Sequence, residues 1–204
     1  MESRAMKVTL LTSVESLKDM ERFAALAELT RYANTEQDYI SRDVLEGIIV
    51  KGDENALEHI NLTYHVEEIS SVCLQELALY RNISLSAENI GHTLPKNLGI
   101  AEWHIKMWKA CPSKGRGVLQ YLLGVILGYR GKISNEELEY LILRFCPVNL
   151  VLTINIRELR HILNSHIEQT ELRELVRVLY ETVPEEFRYL LKGCACDEAV
   201  NDTH

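Results

Sequence analysis

The sequence predicts an α+β domain with few strands and many helices. Two short β-patterned stretches lie in the first half, helical periodicity fills the second, and no internal repeat or low-complexity linker divides them. The chain has 204 residues, enough for one domain with a sizeable core. We expect a single domain over residues 1–193 and a flexible polar tail over residues 194–204.

Lys7 to Thr12 (KVTLLT) is short, apolar and β-branched, and reads as a first strand. Leu17, Met20, Phe23, Ala24, Leu26 and Leu29 then recur at helical spacing, with Ser13 or Ser16 as the cap. A second helix is expected from Asp43 to Val50, stopped by Gly52. Asn61 to Ile69 (NLTYHVEEI) alternates, so Leu62, Tyr64 and Val66 face one way and Thr63, His65 and Glu67 the other. Ser70 to Tyr80 reads as a helix, with Ser70 or Ser71 as its cap, that runs into a polar loop, LALYRNISLSAENIGH, residues 77–92.

Helices are expected at Ala101 to Ala110 and at Gly117 to Tyr129. The latter is apolar nearly all round, which suits a core or a subunit interface. Ser134 and Glu137 form a capping box for a helix to Phe145. Asn155 to Ser165 and Glu171 to Thr182 follow. Pro184 breaks the pattern before a short turn at Glu185 to Leu191.

Composition narrows the function. Hydrophobic residues make up 47% and charged residues 25%, a globular balance, and the formal charge of -8 disfavours nucleic acid and anionic membranes as partners. The apolar stretch Val118–Tyr129 is too short to span a bilayer, and MESRAMKVTLL lacks a signal-peptide layout. A soluble cytoplasmic protein is the expectation. The five cysteines are scattered and odd in number, so no disulfide framework is read. The Cys194-x-Cys196 pair lacks a nearby second ligand pair, so no metal site is expected.

Three polar clusters stand out. Residues 52–70 open with Asp53, Glu54, Asn55, Glu58 and His59. On a helix Glu54 and Glu58 share a face, as do Asn55 and His59. Such a set suits a ligand or a metal, and taken alone it also reads as a solvated helix end with His59 packed under the strand. The loop after Tyr80 offers Arg81, Asn82, Ser84, Ser86, Glu88 and Asn89. Arginine is the side chain that best grips a phosphate; the plainer reading pairs Arg81 with Glu76 or Glu88. In TINIRELRHILNSH, residues 153–166, Asn155, Arg157, Arg160, His161, Asn164 and His166 crowd one helix, and Arg157, His161 and Asn164 form one row of it with Leu159, Ile162 and Leu163 as an apolar face. No P-loop, GxGxxG, GxSxG or HExxH motif is present.

In this order and spacing the clusters resemble the flavin-dependent thymidylate synthase family. MKVTLLTSV is similar to its first strand, GDENALEHINLTYHVEEISSVCLQELALYRNISLS to its central strand and the helix into its signature, and TINIRELRHIL to its Asn-Ala-Arg-x-Leu helix. The resemblance implies an α/β fold with a mainly antiparallel sheet, and a homotetramer with active sites between subunits. It implies binding of FAD and dUMP, NADPH as reductant, and transfer of a methylene group from methylenetetrahydrofolate to give dTMP. It places Asn55, Glu58, Arg81, Asn155, Arg157 and His161 at the cofactor, and Glu76, Ser86, Asn89 and His166 at the nucleotide substrate.

The signature, Arg-His-Arg then seven residues then Ser, here reads Leu79-Tyr80-Arg81, seven residues, Asn89; a further family arginine falls at Gly91. Asp53 stands at the family's flavin-contacting histidine, and His166 at its second nucleotide-binding arginine. Two functions follow as expectations: the family's flavin-dependent methylation, or a non-catalytic homo-oligomeric scaffold or nucleotide sensor on the same fold. A third expectation, independent of the family, is a helical adaptor that self-associates through Gly117–Tyr129.

Overall fold

The computed structural model describes residues 6–32, 39–89, 116–129 and 147–195. In chain order these form β1 (Lys7–Leu10), α1 (Val14–Arg31), α2 (Ser41–Lys51), a 3-10 helix (Glu54–His59), β2 (Asn61–Ser70), α3 (Ser71–Leu77) and β3 (Ile83–Ala87). Then come α4 (Arg116–Tyr129), β4 (Pro147–Asn155), α5 (Ile156–Asn164), α6 (Thr170–Thr182) and a second 3-10 helix (Glu185–Leu191). The expected helices at 101–110 and 134–145 lie outside the described residues, as do Gly91 and Cys196.

The four described strands form one sheet in the order β1-β2-β4-β3. Its register follows from the contacts. Lys7 pairs with Glu67 at 3.1 Å, and Leu11 N–H donates to the Thr63 carbonyl at 2.7 Å, so β1 and β2 run antiparallel. Thr63 meets Thr153 through their hydroxyls at 3.0 Å, while Glu68 N–H donates to Asn149 Oδ1 at 3.1 Å, so β2 and β4 are antiparallel too. The α+β expectation with a mainly antiparallel sheet holds.

By its internal contacts the chain falls into two compact units. One takes its described residues from 1–7, 66–79 and 86–150, the other from 8–65, 80–85 and 151–204.

The larger unit shows why its helices start and stop where they do. Ser13 caps α1, its hydroxyl accepting the Ser16 N–H at 3.1 Å, which decides between the two expected caps. Gly52 ends α2 at φ +74, a left-handed conformation that favours glycine, and its N–H returns to the Ile48 and Ile49 carbonyls. Asn155 caps α5 by accepting Glu158 N–H at 2.8 Å, and Ile156 N–H donates to the Ile60 carbonyl at 2.9 Å. Helices α1 and α2 pack on each other, and the first 3-10 helix packs against both and against α5. Leu17, Leu57, Leu62, Tyr64, Leu159 and Leu175 are wholly buried. Burial holds the Tyr64 phenol far above its ordinary range, and its hydroxyl donates to the Leu179 carbonyl at 3.3 Å.

Arg160 is the exception in this core. Only 6% exposed, it donates to Glu54 at 2.8 Å and to the Leu190 and Lys192 carbonyls at 2.8 and 3.0 Å. One guanidinium thus ties α5 to the first 3-10 helix and to the chain around the second. Cys194 is buried, and Ala195 N–H donates to Asn164 Oδ1 at 3.0 Å, so packed chain continues past residue 193.

In the smaller unit, Ser70 caps α3 through the Cys73 N–H at 3.1 Å. Glu68 sits in β2 at φ +62, an unfavourable region for a side chain with a Cβ, and the alternation slips there so that Ile69 and Ser70 are both buried. Asn149 holds this bulge: its Oδ1 accepts Glu68 N–H, and its Nδ2 donates to Glu88 at 3.0 Å.

Three sequence expectations need correction. The segment read as a polar loop after Tyr80 contains β3. Its Ile-Ser-Leu-Ser alternation is too short and polar to stand out without a strand beside it. Strand β4 was not expected at all, although Val148, Leu150, Leu152 and Ile154 alternate as buried residues. Its other face carries two asparagines, poor strand formers, and Val151, which blurs the period. In α4 the side of the helix that carries Val118, Tyr121 and Val125 is not core, these being 64%, 72% and 39% exposed, while Leu122 is half-buried.

Two stability predictions follow from these contacts. Arg160→Ala strands a partly buried carboxylate and two carbonyls and should cost about 2–4 kcal/mol in urea unfolding. A loss under about 1 kcal/mol would show that water replaces the guanidinium freely. Asn149→Ala should cost about 1–2 kcal/mol by releasing the Glu68 bulge, and an unchanged midpoint would show the bulge holds itself.

Candidate functional site

Seven of the ten candidate residues fall in the larger unit, on the first 3-10 helix, on α5 and its flanks, or at the 80–82 segment. The local fold explains why. The 3-10 turn rises about 2 Å per residue against 1.5 Å for an α-helix, so Glu54 and Glu58 do not stack as a helical i, i+4 pair. They reach two different arginines of α5 instead.

Glu58 forms an ion pair with Arg157, both nearly half exposed. Glu54 takes Arg160. Asp53 pairs with Arg31 at 2.8 Å and accepts Asn55 Nδ2 at 3.0 Å, while Arg31 also reaches Glu28 at 3.0 Å. The hydrogen bond that Arg31 donates to Asp53, with the charge of that carboxylate, raises Arg31 above the ordinary arginine range. The acids that looked like a ligand cluster are therefore each matched to an arginine. His59 is exposed and not packed under the strand.

Three cationic or titratable candidates remain outward. Arg81, His161 and His166 are exposed. Arg81 makes no ion pair among the described residues; neither Glu76 nor Glu88 takes it, and Glu88 accepts from Asn149 instead. Its neighbours are fastened to α5 and its flank. Asn82 Nδ2 donates to Glu158 at 3.0 Å, and the Tyr80 hydroxyl lies 3.4 Å from Ser165 Oγ. Asn155 spends its side-chain Oδ1 on the α5 cap, accepting the Glu158 N–H.

The other three candidates belong to the smaller unit. Glu76 lies exposed on α3, Ser86 exposed on β3, and Asn89 exposed just beyond it. Among the described residues no cluster of His, Cys, Asp or Glu suits a metal ion.

Arg160 is the residue that sequence reasoning missed. It was one of several polar groups crowded on α5, but it shares a helical row with the buried Ile156 and Leu163, and that row was the available signal. The tethers at Tyr80 and Asn82 left no such trace, because their partners lie 85 and 76 residues away.

Among the described residues, Arg81 is thus an exposed arginine with no hydrogen bond or ion pair, set beside the capped helix α5. The chain belongs to the Thy1 family of thymidylate synthase complementing proteins, whose model matches residues 5–187. It is 30% identical over 148 residues to the flavin-dependent thymidylate synthase of Wolinella succinogenes, covering 67% of this chain and 72% of that one. It is 26% identical over 152 residues to that of Campylobacter jejuni (strain RM1221), covering 69% and 73%. The fold is similar to Helicobacter pylori thymidylate synthase X solved with FAD and dUMP, with TM-score 0.74, 20% identity and coverage of 93% of this chain and 98% of that one. It is also similar to the UMP/dUMP methylase PolB of Streptomyces cacaoi bound to 5-Br dUMP, with TM-score 0.64, 14% identity and coverage of 86% and 88%. No described helix is long and apolar enough to cross a membrane.

Because Glu58 and Arg157 are both nearly half exposed, Glu58→Gln should change the unfolding midpoint by the equivalent of less than about 1 kcal/mol. A larger loss would make the pair a structural clamp rather than a surface pair.

Proposed function

We propose that this chain binds FAD and a pyrimidine nucleotide and carries out the family's flavin-dependent methylation of dUMP. NADPH would be the reductant and methylenetetrahydrofolate the carbon donor, in a cytoplasmic homotetramer. The observation that carries the reading is Arg81: an exposed guanidinium without an ionic partner among the described residues, between two neighbours tied to the α5 region. That is the donor a phosphate needs.

The donor set fits a phosphate-bearing cofactor at this point. Arg81 would hold phosphate oxygens, with Arg157 joining once Glu58 releases it and His161 and Asn55 at the margin. FAD, when bound, supplies the redox chemistry. Asn155, fixed by its cap bond, keeps the start of α5 in place. By the family resemblance, Glu76, Ser86, Asn89 and His166 are the residues that would contact the nucleotide.

A second reading is a non-catalytic member of the family, a homo-oligomeric scaffold or nucleotide sensor. A specific observation favours it. Leu79, 74% exposed, and Tyr80 occupy the first two signature positions, Asp53 adds an acid at the family's histidine position, and Glu58 holds Arg157. Each charge-assisted phosphate contact contributes about 1.5–3 kcal/mol, so replacing several weakens binding on the order of a thousandfold.

The absorbance spectrum of freshly purified protein, before and after FAD is added and the unbound fraction removed, separates the two. Retained flavin bands support the enzyme, and Arg81→Ala should then weaken FAD binding about tenfold or more. A colourless protein after reconstitution supports the second reading. On the first reading, Glu58→Gln should tighten FAD binding by freeing Arg157.

A further inference from the structure

Arg81 is held at both sides. Asn82 Nδ2 donates at 3.0 Å to Oε2 of Glu158, a residue 9% exposed in the first turn of α5. The Tyr80 hydroxyl lies 3.4 Å from Oγ of Ser165, immediately after the end of α5, and Ser165 Oγ in turn donates to the Ile162 carbonyl at 2.7 Å. The tripeptide Tyr80-Arg81-Asn82 is thus tied to opposite ends of one nine-residue helix. That helix is anchored by its Asn155 cap and by the buried Arg160. The arginine between the two ties makes no hydrogen bond or ion pair of its own among the described residues.

We infer that Tyr80 and Asn82 are positioning residues: they fix the backbone of Arg81 on α5 so that its guanidinium meets a phosphate from a preset location. This rests on the reading above that Arg81 holds a phosphate. The physical reason is preorganisation. A cation on a fixed backbone loses less freedom when it engages an anion, and more of the contact appears as affinity. Asn82 suits this task because a neutral amide satisfies the Glu158 carboxylate without adding a second cation that would compete for the ligand. Tyr80 suits it because a phenol has the length to reach past the helix end. Neither needs to touch the ligand.

The test is a double-mutant cycle on the full chain, with dUMP and FAD as separate calorimetric probes and thermal unfolding followed in parallel. Arg81→Ala should weaken the probe that Arg81 holds about tenfold or more. Asn82→Ala and the conservative Tyr80→Phe should each weaken it about three- to tenfold. In the Arg81→Ala background both should have no further effect, because each acts only through Arg81. A general loss of fold would lower affinity in both backgrounds, so the cycle separates positioning from structure. Equal losses in both backgrounds, or no loss in the Arg81-containing protein, overturn the inference while leaving Arg81 as an anchor. If wild type binds neither probe, or Arg81→Ala binds as wild type does, the functional reading fails and takes this inference with it.

Discussion

The buried guanidinium of Arg160 is the constraint on which the larger unit depends. A charge at 6% exposure costs several kcal/mol unless it is paired and hydrogen-bonded. Its acceptors come from two other parts of the chain, Glu54 on the first 3-10 helix and the carbonyls of Leu190 and Lys192. Meeting that demand fixes α5 in place. Once α5 is fixed, so are its capping residue Asn155, the register of Ile156 against Ile60, and the platform to which the segment around Arg81 is tied.

The same platform sorts the arginines. Arg160 is used inside, Arg157 is neutralised by Glu58, and Arg31 is taken by Asp53 and Glu28. Arg81 alone of these four is left outward without an ionic partner among the described residues. The FAD and dUMP of the Helicobacter pylori structure carry phosphates, which call for facing cations, and in this chain the acids of the 53–58 segment pair with Arg31, Arg157 and Arg160. The family membership and the residues at its signature therefore pull in different directions, and flavin retention is the quantity that decides between them.

The smaller unit carries its own constraint. Glu68 at φ +62 interrupts the alternation of β2, and Asn149 spans the bulge with both ends of its amide. Local strain of this kind persists where the surrounding bonds over-determine it. Here those bonds come from β4 and from Glu88 beside β3.

Much of the fold was legible in order. The caps at Ser13 and Ser70, the stop at Gly52, the alternation of β2 and the amphipathic helices at 156–164 and 170–182 are local rules, so a linear reading finds them. The family resemblance, carried by three separated segments, was legible for the same reason. Strands β3 and β4 were not, because a five-residue strand at the end of the described sheet and a strand carrying two asparagines take their identity from the neighbour they pair with. Which arginine stays free was also beyond the sequence. Glu58 and Arg157 lie 99 residues apart and Glu54 and Arg160 lie 106 apart. Charge pairing depends on distance in space, and only the folded chain sets that distance.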